Sequence, residues 1–453
     1  MYKEYKGNLK RMKLKEPTNA NYAVVVCSLD KFIDLPNCDN IKAALVCGGN
    51  SVIVSKSAQT KEIGLYFPVE CQISHEFLSQ NNLYRKGEWG NIDSTKSGFF
   101  ELNRRVKAVK FRGNKSEGFW IPVNSLSYLG IPIEAFTEGL TFDAIGDNEI
   151  CRKYIAKRNP IGQPKLRGRQ PRLEDKIVEH QFRFHYDVEN LRRNIHKIQP
   201  EDWISISDKW HGTSVVIANV LVNRNLPFYE RILKWFGVTI QEHEYGLAYS
   251  SRRVLKEVNG ETKTNLHFYG TDIWGLAANK IKDIIPKGYT IYAEIVGFTP
   301  SGAEIQKGYS YGCPVGSHRL LVYRVTSTNP DGHTIELNWP QMVEFCTKYG
   351  LENVKELWYG KAKHFLDTAW TGSDFDIRTW QENLLSLLEA TFVRDQMCEY
   401  NEYKVPAEGI VVRIDKLDQS EAFKLKNFKF LCEESKLLDK GESDIETEQS
   451  EEI

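Results

Sequence analysis

From residue 20 to 130 the apolar positions come in short runs: YAVVVCSL, KAALVC, SVIVS, GLYFPV, VKAVKFRG and GFWIPV. Gly, Asn, Asp and Ser clusters separate them, the punctuation of short strands. Many strands with little helix predict a barrel or sandwich. Between 201 and 432 strand-like runs (203–207, 215–220, 289–297, 319–325, 408–414 and 422–428) alternate with helical patterns. One helix is expected from Asp272 to Pro286, with Ile273, Ala277, Ile281 and Ile284 on one face. Another is expected between Pro340 and Gly350, and a third through Trp380, Leu384, Leu387 and Leu388. A short helical pattern through Leu191, Ile195 and Ile198 stops at Pro200. The pattern divides the chain into a β-rich module (1–150), a connecting segment (151–200), a mixed α+β domain (201–432) and a tail (433–453).

Composition refines this division. A chain of 453 residues with 41% hydrophobic and 26% charged positions has the size of two or three soluble domains. No apolar run approaches the roughly 20 residues of a membrane span, and the first residues lack a secretory h-region. The nine cysteines form no C-x-x-C pair, which argues against a zinc ribbon and fits reduced thiols inside a cell. Net charge is zero but unevenly spread. Residues 433–453 carry nine acids and two bases, the composition of a disordered tail. Residues 151–176 carry nine Lys/Arg against two acids, either a solvated linker or an arm for phosphates.

One polar stretch interrupts the alternation. SDKWHGTS (207–214) sets Lys209 between two apolar runs, where a hairpin would need only Asn-Gly. A lysine amine is a nucleophile once deprotonated, but its ordinary pKa of about 10.4 leaves almost none neutral at pH 7. Burial or neighbouring cations lower that value. Gly212 would permit a sharp bend, with Thr213 and Ser214 adding donors for phosphate oxygens. Taken alone, the tetrapeptide is equally an exposed loop lysine beside a capping histidine. Lys424 and Lys426, two apart on a strand, project from one face. Glu294 interrupts the apolar strand TIYAEIVG and needs a partner if buried.

KWHGTS resembles motif I of the covalent nucleotidyltransferases: DNA ligases, RNA ligases and mRNA capping enzymes. Later motifs of that superfamily follow in order: SSRR (250–253), YAEIVG (292–297), LVYRV (321–325), AEGIVVRI (407–414) and AFKLKNFKF (422–430). His211, with Thr two places on, is typical of RNA ligases, whereas DNA ligases and capping enzymes usually carry Asp. A β-rich module first, and only about two dozen residues after the last motif, is similar to the Deinococcus-type RNA ligases.

The resemblance implies an N-terminal OB-like barrel followed by a nucleotidyltransferase domain of ATP-grasp-like antiparallel sheets with flanking helices. Lys209 would take AMP from ATP, with Lys424 and Lys426 on the α-phosphate. Asp208, His211, Gly212, Arg252, Glu294 and Tyr323 would hold the nucleotide. Glu408 would organise a hydrated divalent cation, Mg²⁺ or Mn²⁺. The expected partner is RNA with 3′-OH and 5′-phosphate ends, in a nicked duplex or as loose strands, in RNA repair. A monomer without membrane attachment, in the cytoplasm of a cell or of a virus-infected host, completes the expectation. A DNA ligase, a GTP-using capping enzyme and a catalytically silent end-binding protein remain the alternatives.

Overall fold

The computed structural model describes residues 14, 16–36, 38–156, 172–262, 271–366, 376–417 and 419–441. The N-terminal strands do not close into the expected barrel among the described residues. Val24–Ser28 pairs antiparallel with Ile63–Pro68, at the centre of a four-stranded sheet. Lys31–Ile33, Ile41–Val46 and Asn50–Ser55 make a separate three-stranded sheet. Ala44, Val46, Val52 and Val54 of the second sheet bury against Tyr66 and Trp120 of the first. Strands of two to six residues, interrupted by 3-10 turns, favour packed small sheets over a continuous closed one.

Two expected boundaries move. Cys151–Lys153 pairs with Cys71–Ile73, so the first module extends past residue 150. The basic stretch 157–171 lies outside the described residues. Residues from 172 on belong to the second domain rather than to a linker, because their apolar side chains find burial there. Leu173 packs against Ala218, Val220 and Val222, and Glu189–Asn190 adds a parallel edge to the strand Glu421–Lys426.

The second domain has two sheets. Trp203–Lys209 (the lysine strand) lies between Gly409–Ile414 and Glu356–Lys361 in a five-stranded sheet. Thr213–Asn223 begins a few residues later in an eight-stranded sheet, beside Tyr289–Gly297. The motif KWHGTS is therefore a crossing between sheets, with the bend expected at Gly212. The helix Ile273–Ile281 starts at the expected cap, where Asp272 accepts from Gly275 N at 2.9 Å, but it ends several residues before Pro286. Trp339–Tyr349, opened by an Asn338–Gln341 capping box, and Ile377–Phe392 match the other two expectations. Several helices were not expected from the sequence, among them Phe228–Trp235, which connects two long strands and buries none of its residues.

The strand expected over 422–428 stops at Lys426. Asn427 accepts from Lys429 N at 3.0 Å and starts a helix, Phe428–Asp439. This last helix runs through the first seven positions of the expected disordered tail, and the N-terminal module holds it. Arg105 donates to Asp439 Oδ1 at 2.6 Å and to the Ser435 carbonyl at 2.8 Å. Ser435 Oγ donates to Glu70 Oε1 at 3.1 Å. Residues 442–453 lie outside the described residues.

Candidate active site

Lys209 is the last residue of its strand and sits opposite Gly409. Gly409 has φ 143°, and a Cβ there would lie 2.1 Å from the Leu425 carbonyl oxygen. Only glycine lets the strands close this tightly beside the lysine. The preceding residue, Glu408, is buried and meets Lys209 Nζ at 2.8 Å and Lys426 Nζ at 3.2 Å through the same oxygen. His211 Nδ1 is 3.9 Å from its other oxygen. Burial alone would raise the Glu408 pKa, but Lys209, Lys426 and His211 outweigh it and hold the carboxyl below its ordinary value. Oε2 of Glu408 is buried without a hydrogen-bond partner among the described residues.

Gly212 is not at positive φ; its need is space. A Cβ there would come within 2.3 Å of the Ile295 carbonyl oxygen and 2.9 Å of Glu294 Cγ. That contact exists because Glu294 holds the crossing: its Oε1 accepts from Gly212 N at 3.0 Å and its Oε2 from Ser214 Oγ at 3.1 Å. Two further residues fix the segment and were not foreseen. Gln306 donates to the Gly212 carbonyl at 2.7 Å, and Tyr311 OH accepts from His211 N at 2.7 Å. Both lie between recognisable motifs, in a loop with no periodicity to mark them.

Tyr323 is the extra residue of a β-bulge, since Tyr292 pairs with Arg324 while Ala293 pairs with Val322. The bulge re-aims its side chain, and its hydroxyl lies 3.1 Å from His185 Nδ1. Arg252 meets Asp187 Oδ1 at 2.5 Å, and Arg253 meets Oδ2 at 3.0 Å. Burial opposes ionisation of Asp187, but Arg252 overrides it and lowers the pKa to about 2. Asp187 ends the segment FHYD (184–187), upstream of the lysine. Burial raises the Asp208 carboxyl to about 6, against the pull of Lys355. One cavity is lined by Asp208, Lys209, Arg252, Glu294, Tyr323, Glu408, Lys424 and Lys426 together. His211 and Gly212 lie beside it through their contacts with Glu408 and Glu294. Asn19, Tyr22 and Lys153 of the N-terminal module line the same cavity.

The donor set fits a hydrated cation better than a protein-caged one. Glu408 Oε2 is a hard oxygen without a hydrogen-bond partner among the described residues, and no group of three or more His, Cys, Asp or Glu among those residues could hold a metal. No helix among the described residues is long and apolar enough to cross a membrane.

A lysine at a strand end, a buried carboxylate and a paired-lysine strand meet around one cavity. A family model described as RNA ligase matches residues 203–429, just over half of the chain. The chain belongs to the RNA ligase family, within the nucleotidyltransferase superfamily. Solved structures share the fold well beyond the matched segment. A Naegleria gruberi RNA ligase variant with AMP and Mn is 12% identical at a TM-score of 0.52, covering 90% of this chain and 97% of that one. Another variant, with ATP and Mn, is 13% identical at 0.53, covering 90% and 98%. The same ligase with PPi is 12% identical at 0.51, covering 92% and 100%. No curated protein sequence matches the chain.

Proposed function

We propose that this chain is an ATP-dependent RNA ligase that joins a 3′-OH to a 5′-phosphate through a lysyl–AMP on Lys209. The observation that carries the reading is the position of Lys209 Nζ, 2.8 Å from a buried glutamate that it shares with Lys426, on the cavity that Tyr323 and Arg252 also line. The Naegleria ligase structures bound to ATP, AMP and PPi support it.

In the first step the Lys209 amine, after losing a proton, attacks the α-phosphorus. A P–N bond forms, the α–β P–O bond breaks, and pyrophosphate leaves. AMP then passes to the 5′-phosphate of the RNA, regenerating the lysine. Attack by the 3′-OH makes the phosphodiester and releases AMP. Covalent catalysis divides one hard condensation into easier transfers. Lys424 and Lys426 offset charge developing on the transferred phosphate. Tyr323 stacks on the base, Arg252 reaches phosphate, and Glu294 faces the ribose while holding Gly212. Asp208 seats the base from beside the nucleophile. Glu408 would hold Mg²⁺ or Mn²⁺ through Oε2, and that cation supplies neutralisation of phosphate charge.

The test is incubation with ATP labelled at the α-phosphate, with Mg²⁺. The wild-type chain acquires acid-labile, alkali-stable label, and Lys209→Ala acquires none. Unchanged labelling in the Ala variant removes Lys209 from the proposal; GMP in place of AMP removes the ATP assignment.

A further inference from the structure

The last helix joins two places that the motifs leave separate. Its Glu434 puts both carboxylate oxygens 3.3 Å from Lys426 Nζ, and Phe430, one turn earlier, lies under the same ammonium at 5.0 Å. The next residue along, Ser435, and then Asp439 dock on Glu70 and Arg105 of the N-terminal module. The Arg105 side chain is fully buried in that contact.

We propose that Glu434 is a positioning residue for Lys426, and that the last helix thereby makes the N-terminal module part of the adenylyl-transfer machinery. This rests on the reading of Lys209 as the adenylylated lysine. The need for Glu434 follows from how Glu408 is shared. One Glu408 oxygen faces two ammonium groups, and its other oxygen, without a hydrogen-bond partner among the described residues, is the one that would hold the cation. Whatever Glu408 engages during the reaction, Lys426 keeps a second carboxylate in Glu434. That carboxylate holds the ammonium on the cavity side without drawing on Glu408. The direction of Glu434 depends on the helix axis, and the axis is fixed by the Arg105–Asp439 and Ser435–Glu70 contacts. A bend of the helix at its far end would therefore move the Lys426 head group.

Single-turnover lysyl–AMP formation in the full chain, measured against ATP concentration, tests this. Glu434→Gln keeps shape and removes charge. It should slow the reaction at saturating ATP by about 10–100-fold, the worth of a charged hydrogen bond. ATP KM should stay within about threefold and the melting temperature should hold, a split that a merely structural role would not give. Glu434→Asp, which retains the charge, should recover part of the rate. Asp439→Asn, at the module end, should slow it by about 2–5-fold, and the double variant should be no slower than Glu434→Gln alone.

A Glu434→Gln rate within twofold of wild type overturns the positioning role. Multiplicative losses in the double variant overturn the route through the helix. Absence of label on the wild-type chain would instead bring down the adenylylation reading itself, so the two failures are distinguishable.

Discussion

Two buried glutamates with cationic partners behave in opposite ways. Glu408 faces Lys209, Lys426 and His211, and its pKa falls below the ordinary range. Glu70 faces mainly Arg105, at 3.2 Å, and burial still drives its pKa up to about 7, with Glu434 nearby adding to the rise. Desolvation penalises a carboxylate in both places; the number of facing cations decides which form wins. One cation does not outweigh burial in the interface between module and domain, whereas two ammonium groups with the His211 ring beside them do in the cavity. The site maintains a carboxylate that can share itself among ligands, and the interface maintains one poised near neutrality. The last helix touches both.

The comparison breaks most severely at Glu408. Glu408→Gln removes the charge that balances two lysines and abolishes the orphaned carboxylate oxygen. Lysyl–AMP formation should fall by about a thousandfold or more, the scale seen when a charge-stabilising group is removed from a reaction site. Quench-flow labelling with α-labelled ATP measures it, and a loss below tenfold would mean that Glu408 is a structural partner only.

The next effect belongs to the interface. A chain stopped after Cys432 loses Ser435 and Asp439 and leaves the buried Arg105 with Glu70 as its carboxylate partner among the described residues. Removing one partner of a buried charge costs about 3–5 kcal/mol. Urea unfolding should show that loss, where a disordered tail would show none.

That last prediction reverses what composition implies, and the reason is instructive. Nine acids among 21 residues read as a solvated tail, because composition averages over position. Glu434, Ser435 and Asp439 fall on the helix face that meets Arg105 and Lys426, and their partners lie some 330 residues away or across a strand end. Long-range pairing of this kind leaves no local period. The lysine, its carboxylates and the paired lysines were legible because their motifs are collinear and chemically unusual within apolar strands. Gly212 was legible as the glycine of a bend, but the close packing against Glu294 and Ile295 that also requires it was not. Tyr311, Gln306 and Asp187 act through backbone groups or through other side chains, so nothing in residue type or spacing marked them. Many short strands left barrel and sandwich open, and the packed sheets that formed are not the barrel that the family resemblance implied, because strand count does not fix which strands pair.

The smallest effect sharpens the comparison by pH. Glu70 has its folded pKa raised from 4.5 to about 7. The folded chain therefore binds a proton here that the unfolded chain has already released between those values. The stabilisation tied to that proton is complete below about pH 4.5 and disappears as pH rises through 7, by at most about 3 kcal/mol. Glu70→Gln carries no such proton, so the stability of wild type relative to the variant should decline from pH 5 to pH 8. Guanidinium unfolding midpoints of the two chains at both pH values give the difference directly, and groups common to both chains cancel. A gap that stays constant, or widens with pH, would mean that Arg105 alone keeps Glu70 ionised. One guanidinium would then achieve in the interface what takes two ammonium groups and an imidazole in the cavity, and the number of facing basic side chains would no longer explain why the two glutamates differ.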